Sequence, residues 1–377
     1  MSMNVISGVG APPVRAATAA ADRRIARWLF LVALLVFAML VLGGVTRLTN
    51  SGLSMVEWRP VTGWLPPLGE QAWQEEFAKY RTSPEYRKVN AGMSLDAFKQ
   101  IYAFEYGHRL LGRLIGLAFF LPFLWFLIRG QVARPLAVRL AGIFLLGGLQ
   151  GGMGWFMVKS GLVDHPDVSH YRLTAHLALA IAILGALLWT AWGLIGRPAE
   201  DGDPSARRAL APLARLLLGL VFLQILLGGL VAGINAGLLY NEWPLMGDGL
   251  IPEDVWSLSP WYLNPLENHA TVQFDHRLVA YLIAALAVWL WLRARRLDLP
   301  ADLGLGLRLF WLTFALQFCL GIATLLAQVP VSLGALHQAG GALTFAAALY
   351  LVHRSRDAVG NVRGTAAPAG GPGPVRP

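Results

Sequence analysis

Four of the eight histidines stand in comparable places: His108, His176, His276 and His337. Each falls in or near the first turn of a long apolar run, and the even-numbered runs carry all four. Two imidazoles facing each other across a helical bundle supply the two axial positions of a haem iron. Zinc would want a third or fourth ligand in a tetrahedral cage, and no cysteine or carboxylate recurs beside the histidine pairs. Interfacial histidines capping helix ends are the bland alternative; it suits one histidine better than four that pair by repetition. His165, His170, His269 and His353 have no repeated counterpart and read as surface residues.

Charged groups accompany the ligand candidates. Arg109 and Arg277 follow the first histidine of each pair, and Arg172 precedes His176 by four residues. A guanidinium at the rim can hold a propionate with two parallel hydrogen bonds. The competing reading is an arginine that snorkels to lipid head groups, which weighs more for Arg172 than for the repeated pair. Glu105 stands three residues before His108, on the same helix face, whereas the matching position holds Gln273. A porphyrin used only to pass electrons has no need of that carboxylate. One being chemically altered could use it to move a proton or orient water. A plain ion pair with Arg109, one turn on, explains the spacing equally well.

Elements that could position these groups are set by composition. Of 377 residues, 56% are hydrophobic and 14% charged, well below the roughly 25% charged residues of soluble domains. Crossing a bilayer core takes about 20 apolar residues, and eight segments qualify: 28–46, 108–128, 140–158, 173–195, 213–234, 274–292, 309–328 and 334–352. The net charge of +9 then reads as basic cytoplasmic loops rather than a nucleic-acid surface. Outside the long first loop, where acids nearly balance bases, Lys and Arg concentrate in the tails and in the loops on the tails' side. Both termini are therefore expected in the cytoplasm. The single cysteine, Cys319, lies in an apolar run and excludes an intramolecular disulfide. The run beginning at Trp28 lacks a small-residue cleavage site and reads as a retained span.

The chain repeats itself. Gly43-Gly44, Asn50, Gly52, Glu57 and Trp58 match Gly228-Gly229, Asn235, Gly237, Glu242 and Trp243 at an offset of 185. His108-Arg109-Leu110 matches His276-Arg277-Leu278 at 168, Leu149-Gln150 and Gly154 match Leu316-Gln317 and Gly321 at 167, and His176 matches His337 at 161. Each half has four spans, an even number, so both insert the same way up. The expected fold is an all-α integral membrane protein with eight transmembrane helices in two parallel-repeat four-helix bundles. Its divisions are a cytoplasmic segment 1–27, an N-terminal half 28–196 with a long outer loop 46–106, a cytoplasmic linker 197–212, a C-terminal half 213–352 and a disordered cytoplasmic tail 353–377. The outer loop, rich in Trp and Pro, is expected to form short interfacial helices or a lid over the outer face.

At these residues the chain resembles the haem A synthase family. The carriers are GGVTRLT-x-SGLS at 43–54, EY-x-HR at 105–109, QG-x-x-GW-x-MVKSGL at 150–162, YRL-x-x-HL at 171–177, QFDHR at 273–277 and LHQ at 336–338. The resemblance covers about residues 28 to 352. It implies oxidation of the C8 methyl of haem O to a formyl, giving haem A for terminal oxidases. It also implies that His108 and His176 ligate the haem O substrate, that His276 and His337 hold a haem B cofactor, and that Glu105 is the required carboxylate. Haem O synthase is the candidate partner, and a bacterial cytoplasmic membrane the expected location. Many bacterial members carry a cysteine pair in the first outer loop; this chain has none there, which places it with the Cys-lacking subgroup.

Two other functions fit parts of the pattern. A dihaem b-type electron carrier would use the same ligands without altering a haem, but all four histidines fall on one side of the membrane. A transporter with a parallel repeat expects charges near the midplane of its spans, and none is present.

Overall fold

The computed structural model describes residues 14–59, 62–161, 168–196 and 204–356. Eight long helices dominate it: α1 (Val14–Leu48), α4 (Leu95–Ile128), α5 (Arg134–Gly161), α6 (His170–Ile195), α7 (Pro204–Gly233), α9 (His269–Ala294), α10 (Ala301–Leu326) and α11 (Val331–Ser355). Short helices α2 (Glu70–Arg81) and α3 (Pro84–Lys88) fill the first long loop, and α8 (Asn264–Glu267) precedes α9. All eight long helices are apolar enough over enough length to cross a membrane, as the composition required. Exposed Leu121, Ile128, Leu145, Leu312 and Leu316 fit a lipid surround rather than water.

The helices begin earlier than hydropathy alone indicates. The second span, expected from 108, starts at Leu95, where the Ser94 hydroxyl caps the helix by accepting from the Ala97 amide. His108 is thus more than three turns inside α4 rather than in its first turn. The other three ligand candidates sit six or seven residues into α6, α9 and α11. At the tail, α11 continues to Ser355, so 353–355 are helical. Residues 1–13, 197–203 and 357–377 lie outside the described residues, while 204–212, expected as linker, belong to α7.

Within each half, every helix packs on its sequence neighbours in a ring, and the first helix closes on the fourth: α1 on α6, and α7 on α11. The loosest neighbours are α4 with α5 and, more so, α9 with α10. The seam between halves is reciprocal. α1 of the first half packs on α11 of the second, α7 of the second packs on α6 of the first, and α6 meets α11 between them. This is the contact pattern of two similar bundles related by a two-fold axis. A common apolar core runs through it, with Leu29, Leu187, Leu217, Leu290 and Phe310 fully buried.

The repeat extends to the backbone. Just past the ends of α1 and α7, Asn50 and Asn235 both adopt left-handed conformations, with φ of 49° and 56°. Asparagine tolerates this conformation better than other residues with a β-carbon. Arg47 at the end of α1 donates to the carbonyls of Ala232 and Gly233, joining the two helix ends across the seam.

The long first loop is a structured cap. Phe77 and Tyr80 of α2 stack on Phe98 of α4, each pair with ring centres 5.0 Å apart. Tyr102 and Trp73 extend the cluster, with centres 5.1 Å apart.

Candidate functional site

The four histidines all lie toward one end of the bundle, on the side of the cap. Each ring rests against a glycine of a neighbouring helix. A Cβ on Gly43 of α1 would lie 3.0 Å from His108 Cε1, and one on Gly228 of α7 would lie 3.3 Å from His276 Cε1. A Cβ on Gly154 of α5 would lie 3.3 Å from His176 Cε1, and one on Gly321 of α10 would lie 2.8 Å from His337 Cε1. The repeated glycines therefore clear space for imidazoles. Gly147, Gly148, Gly151 and Gly152 have open space at the Cβ position.

In the C-terminal half, the rings of His276 and His337 face each other with centres 6.4 Å apart and planes at 70°. At the metal–nitrogen distance of roughly 2.0 Å usual for histidine, two rings sharing one metal have centres about 6 Å apart. The separation therefore fits a shared iron. Beside His337, a cavity of about 80 Å³ opens between α9 and α10, lined by Trp243, Arg277, Tyr281, Phe318 and Leu325. In the N-terminal half, His176 lies within electrostatic reach of His108. The Nδ1 atoms of both are buried without a hydrogen-bond partner. Among the described residues no third His, Cys, Asp or Glu completes a metal cluster. Pairs of imidazoles flanked by apolar and aromatic walls suit a haem iron better than zinc.

Three of the four histidines carry a glutamine that the sequence reading did not assign. Gln150 Nε2 lies 3.1 Å from the His176 carbonyl oxygen, Gln224 Nε2 3.0 Å from that of His276, and Gln317 Nε2 2.9 Å from that of His337. Each amide also lies beside the imidazole it tethers. The position that matches Gln224 at the offset of 185 is Met39, which packs against Gly112 rather than tethering His108. The signal was present: Gln150 and Gln317 already lay on the repeat, and carrying the 185 offset back from Gly43 exposes the Met39–Gln224 difference.

Glu105 is 3% exposed. Its Oε2 accepts from the Ser54 hydroxyl and from the Met55 amide, both at 2.7 Å, and its Oε1 accepts from Arg109. Arg109 also donates to the carbonyls of Glu57 and Met55, at 2.8 and 3.0 Å, and stacks over Trp58. The pair therefore clamps the strap 54–58 onto α4: two Arg109 N–H groups bond the strap and a third holds Glu105. In the second half the polarity reverses. Gln273 Nε2 donates to the Tyr240 carbonyl at 2.9 Å, and Tyr240 is the counterpart of Met55. Arg277 donates to the carbonyls of Leu245 and Tyr240, which leaves its buried Nε without a partner. Arg172 lies over the Phe156 ring at 4.2 Å, a contact that does not join it to the histidines.

The remaining histidines differ from expectation in part. His269 is exposed. His170 is half-buried at the start of α6, where it approaches Glu267 and packs on Tyr171. His353, expected at the surface, is buried: Trp189 and Trp192 flank it edge-on at 4.9 and 5.8 Å. It was misread because α11 runs three residues further than its apolar stretch. His165 lies outside the described residues.

The family model for cytochrome oxidase assembly protein, COX15-CtaA, matches residues 26–349. The chain belongs to this family. Its relatives include the heme A synthase of Nitrosospira multiformis, 54% identical over 89% of this chain and 95% of that protein. The heme A synthase of Parvibaculum lavamentivorans is 52% identical over 89% and 96%. That of Nitrosomonas eutropha is 51% identical over 88% and 93%. Identity near one half across nearly the whole length means that this family member shares both bundles with them, not one.

Proposed function

We propose that the chain is a haem A synthase, oxidising the C8 methyl of haem O to a formyl group. The observation that carries this is the duplicated imidazole couple combined with a carboxylate in one half only. The relatives' shared activity supports the same reading.

In this reading His108 and His176 hold haem O, while His276 and His337 hold haem B. The 6.4 Å ring separation and the cavity beside His337 support the second assignment. A bound haem B supplies an iron that exchanges single electrons. Arg277, with its unpartnered Nε, is the propionate donor in the C-terminal half. Arg109 serves chiefly as the partner that fixes Glu105. That carboxylate, one helical turn from His108, is the proton acceptor nearest the substrate ligand in sequence, and it also holds the strap 54–58 in place. The two halves 28–196 and 213–352 are thereby a substrate half and a cofactor half. The distribution of Lys and Arg supports a bacterial cytoplasmic membrane with both termini inside, and haem O synthase is the partner that would hand over the substrate.

The test is to express the chain with haem O synthase in cells that make no haem A, and to separate the extracted haems by mass. A formyl-bearing haem is expected. Haem O and haem B alone, with full b-type absorbance, would leave the electron carrier as the function.

A further inference from the structure

Far from the histidines, at the opposite end of the bundle, the last turn of α9 and the first turns of α10 part around a second cavity of about 340 Å³. Leu299 and Leu307 contribute to its apolar wall. Its polar side chains are Arg295, Arg308, Trp291 and Trp311, and every one of them is a hydrogen-bond donor without acceptor capacity. Arg295 lies over the Trp291 ring at 4.7 Å. The Trp311 Nε1 is buried and has no hydrogen-bond partner. Among the described residues neither arginine is paired with a carboxylate. Asp298, three residues after Arg295, is exposed and forms no ion pair with either arginine, and Asp302 is bound by Arg207 at 2.9 Å.

We propose that this cavity binds the phosphate head group of an anionic phospholipid, with the acyl chains lying along the groove between α9 and α10. Two guanidinium groups and an orphaned indole N–H around one space complement an acceptor-only anion. Basic pockets between transmembrane helices at a membrane face are the usual recognition mode for anionic head groups. The groove leading away is the loosest helix contact of its half. Leu309, Leu312 and Leu316 of α10 are exposed along the same helix. A lone arginine here would be adequately explained by snorkelling. Two flanking one cavity with an unpaired donor are not.

The experiment purifies the haem-loaded protein from membranes containing phosphatidylglycerol and phosphatidylethanolamine, and identifies retained lipids by native mass spectrometry. The wild type is expected to retain phosphatidylglycerol in preference to phosphatidylethanolamine. Arg295→Gln with Arg308→Gln should weaken that retention roughly thirtyfold, at the affinity expected of two basic contacts, with haem content unchanged. Trp311→Phe, which removes one donor at nearly constant volume, should weaken it by less and serves if the double variant folds poorly. Undiminished retention in both variants overturns the proposal. So does equal retention of the two lipids, which would mean an apolar groove only. Displacement of the lipid by millimolar inorganic phosphate would indicate a free-phosphate site and overturn it as well.

Discussion

His276 and His337 approach with ring centres 6.4 Å apart, although 61 residues separate them in the chain and each rides a different helix. A metal shared between them, as proposed, would account for two rings from α9 and α11 converging there. Replacing either with alanine is expected to remove the b-type absorbance of the C-terminal site while the helices persist by circular dichroism. Gly321→Ala should have the same effect in weaker form, since its Cβ would sit 2.8 Å from His337 Cε1 and push the ring aside. Full haem content in both histidine variants would break the assignment.

Glu105→Gln should retain haem but stop the conversion of methyl to formyl. It should also cost stability, because Arg109 would be left as a buried charge without its counter-ion, a loss of about 3–5 kcal/mol for buried pairs. These effects separate in the double variant Glu105→Gln with Arg109→Gln. Thermal stability should recover there and haem A should remain absent. Recovery of haem A in the double variant would assign Glu105 to clamping the strap alone.

If the histidines ligate iron as proposed, the glutamine tethers would act on them from outside the metal's own shell. Gln224→Met, which copies the first half's Met39, is expected to weaken haem retention at His276 roughly tenfold, as loss of an outer-shell partner does. Transfer of haem from purified protein to apomyoglobin measures it. The reverse change, Met39→Gln, should slow release from the His108 site.

Arg207 and Asp302 form a buried pair at the far end of α7 and α10, and Arg207 also caps the Arg354 carbonyl. Asp302→Leu alone should destabilise by about 3–5 kcal/mol, read as a fall in the melting temperature in detergent. Asp302→Leu combined with Arg207→Met should restore most of it. Haem content should not change in either, because the pair lies away from the histidines.

Much of this was legible in the sequence because a repeat reports on itself. The His108/His276 and His176/His337 matches singled out four rings that lie toward one end of the bundle, and the even span count led to the expectation that both halves insert the same way up. The change from Glu105 to Gln273 marked the halves as unequal. What the sequence hid was local. Helix α4 begins at Leu95 among polar residues that a hydropathy window discards, and only the Ser94 cap betrays it. The Glu105–Arg109 clamp depends on Met55 and Ser54, fifty residues away, which no spacing rule connects to a helix. Gln224 stands alone as a polar residue in an apolar run, and its meaning lies in the Met39 found at the matching position. His353 was misplaced because its shelter comes from Trp189 and Trp192 on another helix.

The reciprocal seam, α1 on α11 and α7 on α6, has an ancestral consequence. A four-span protein of half this length could have built the whole assembly from two identical copies, using one self-complementary surface. Joining the copies in one gene released each from having to serve both positions. One chain therefore holds Glu105 opposite Gln273 and Gln224 opposite Met39 across the same seam, an asymmetry that two interchangeable subunits could not carry.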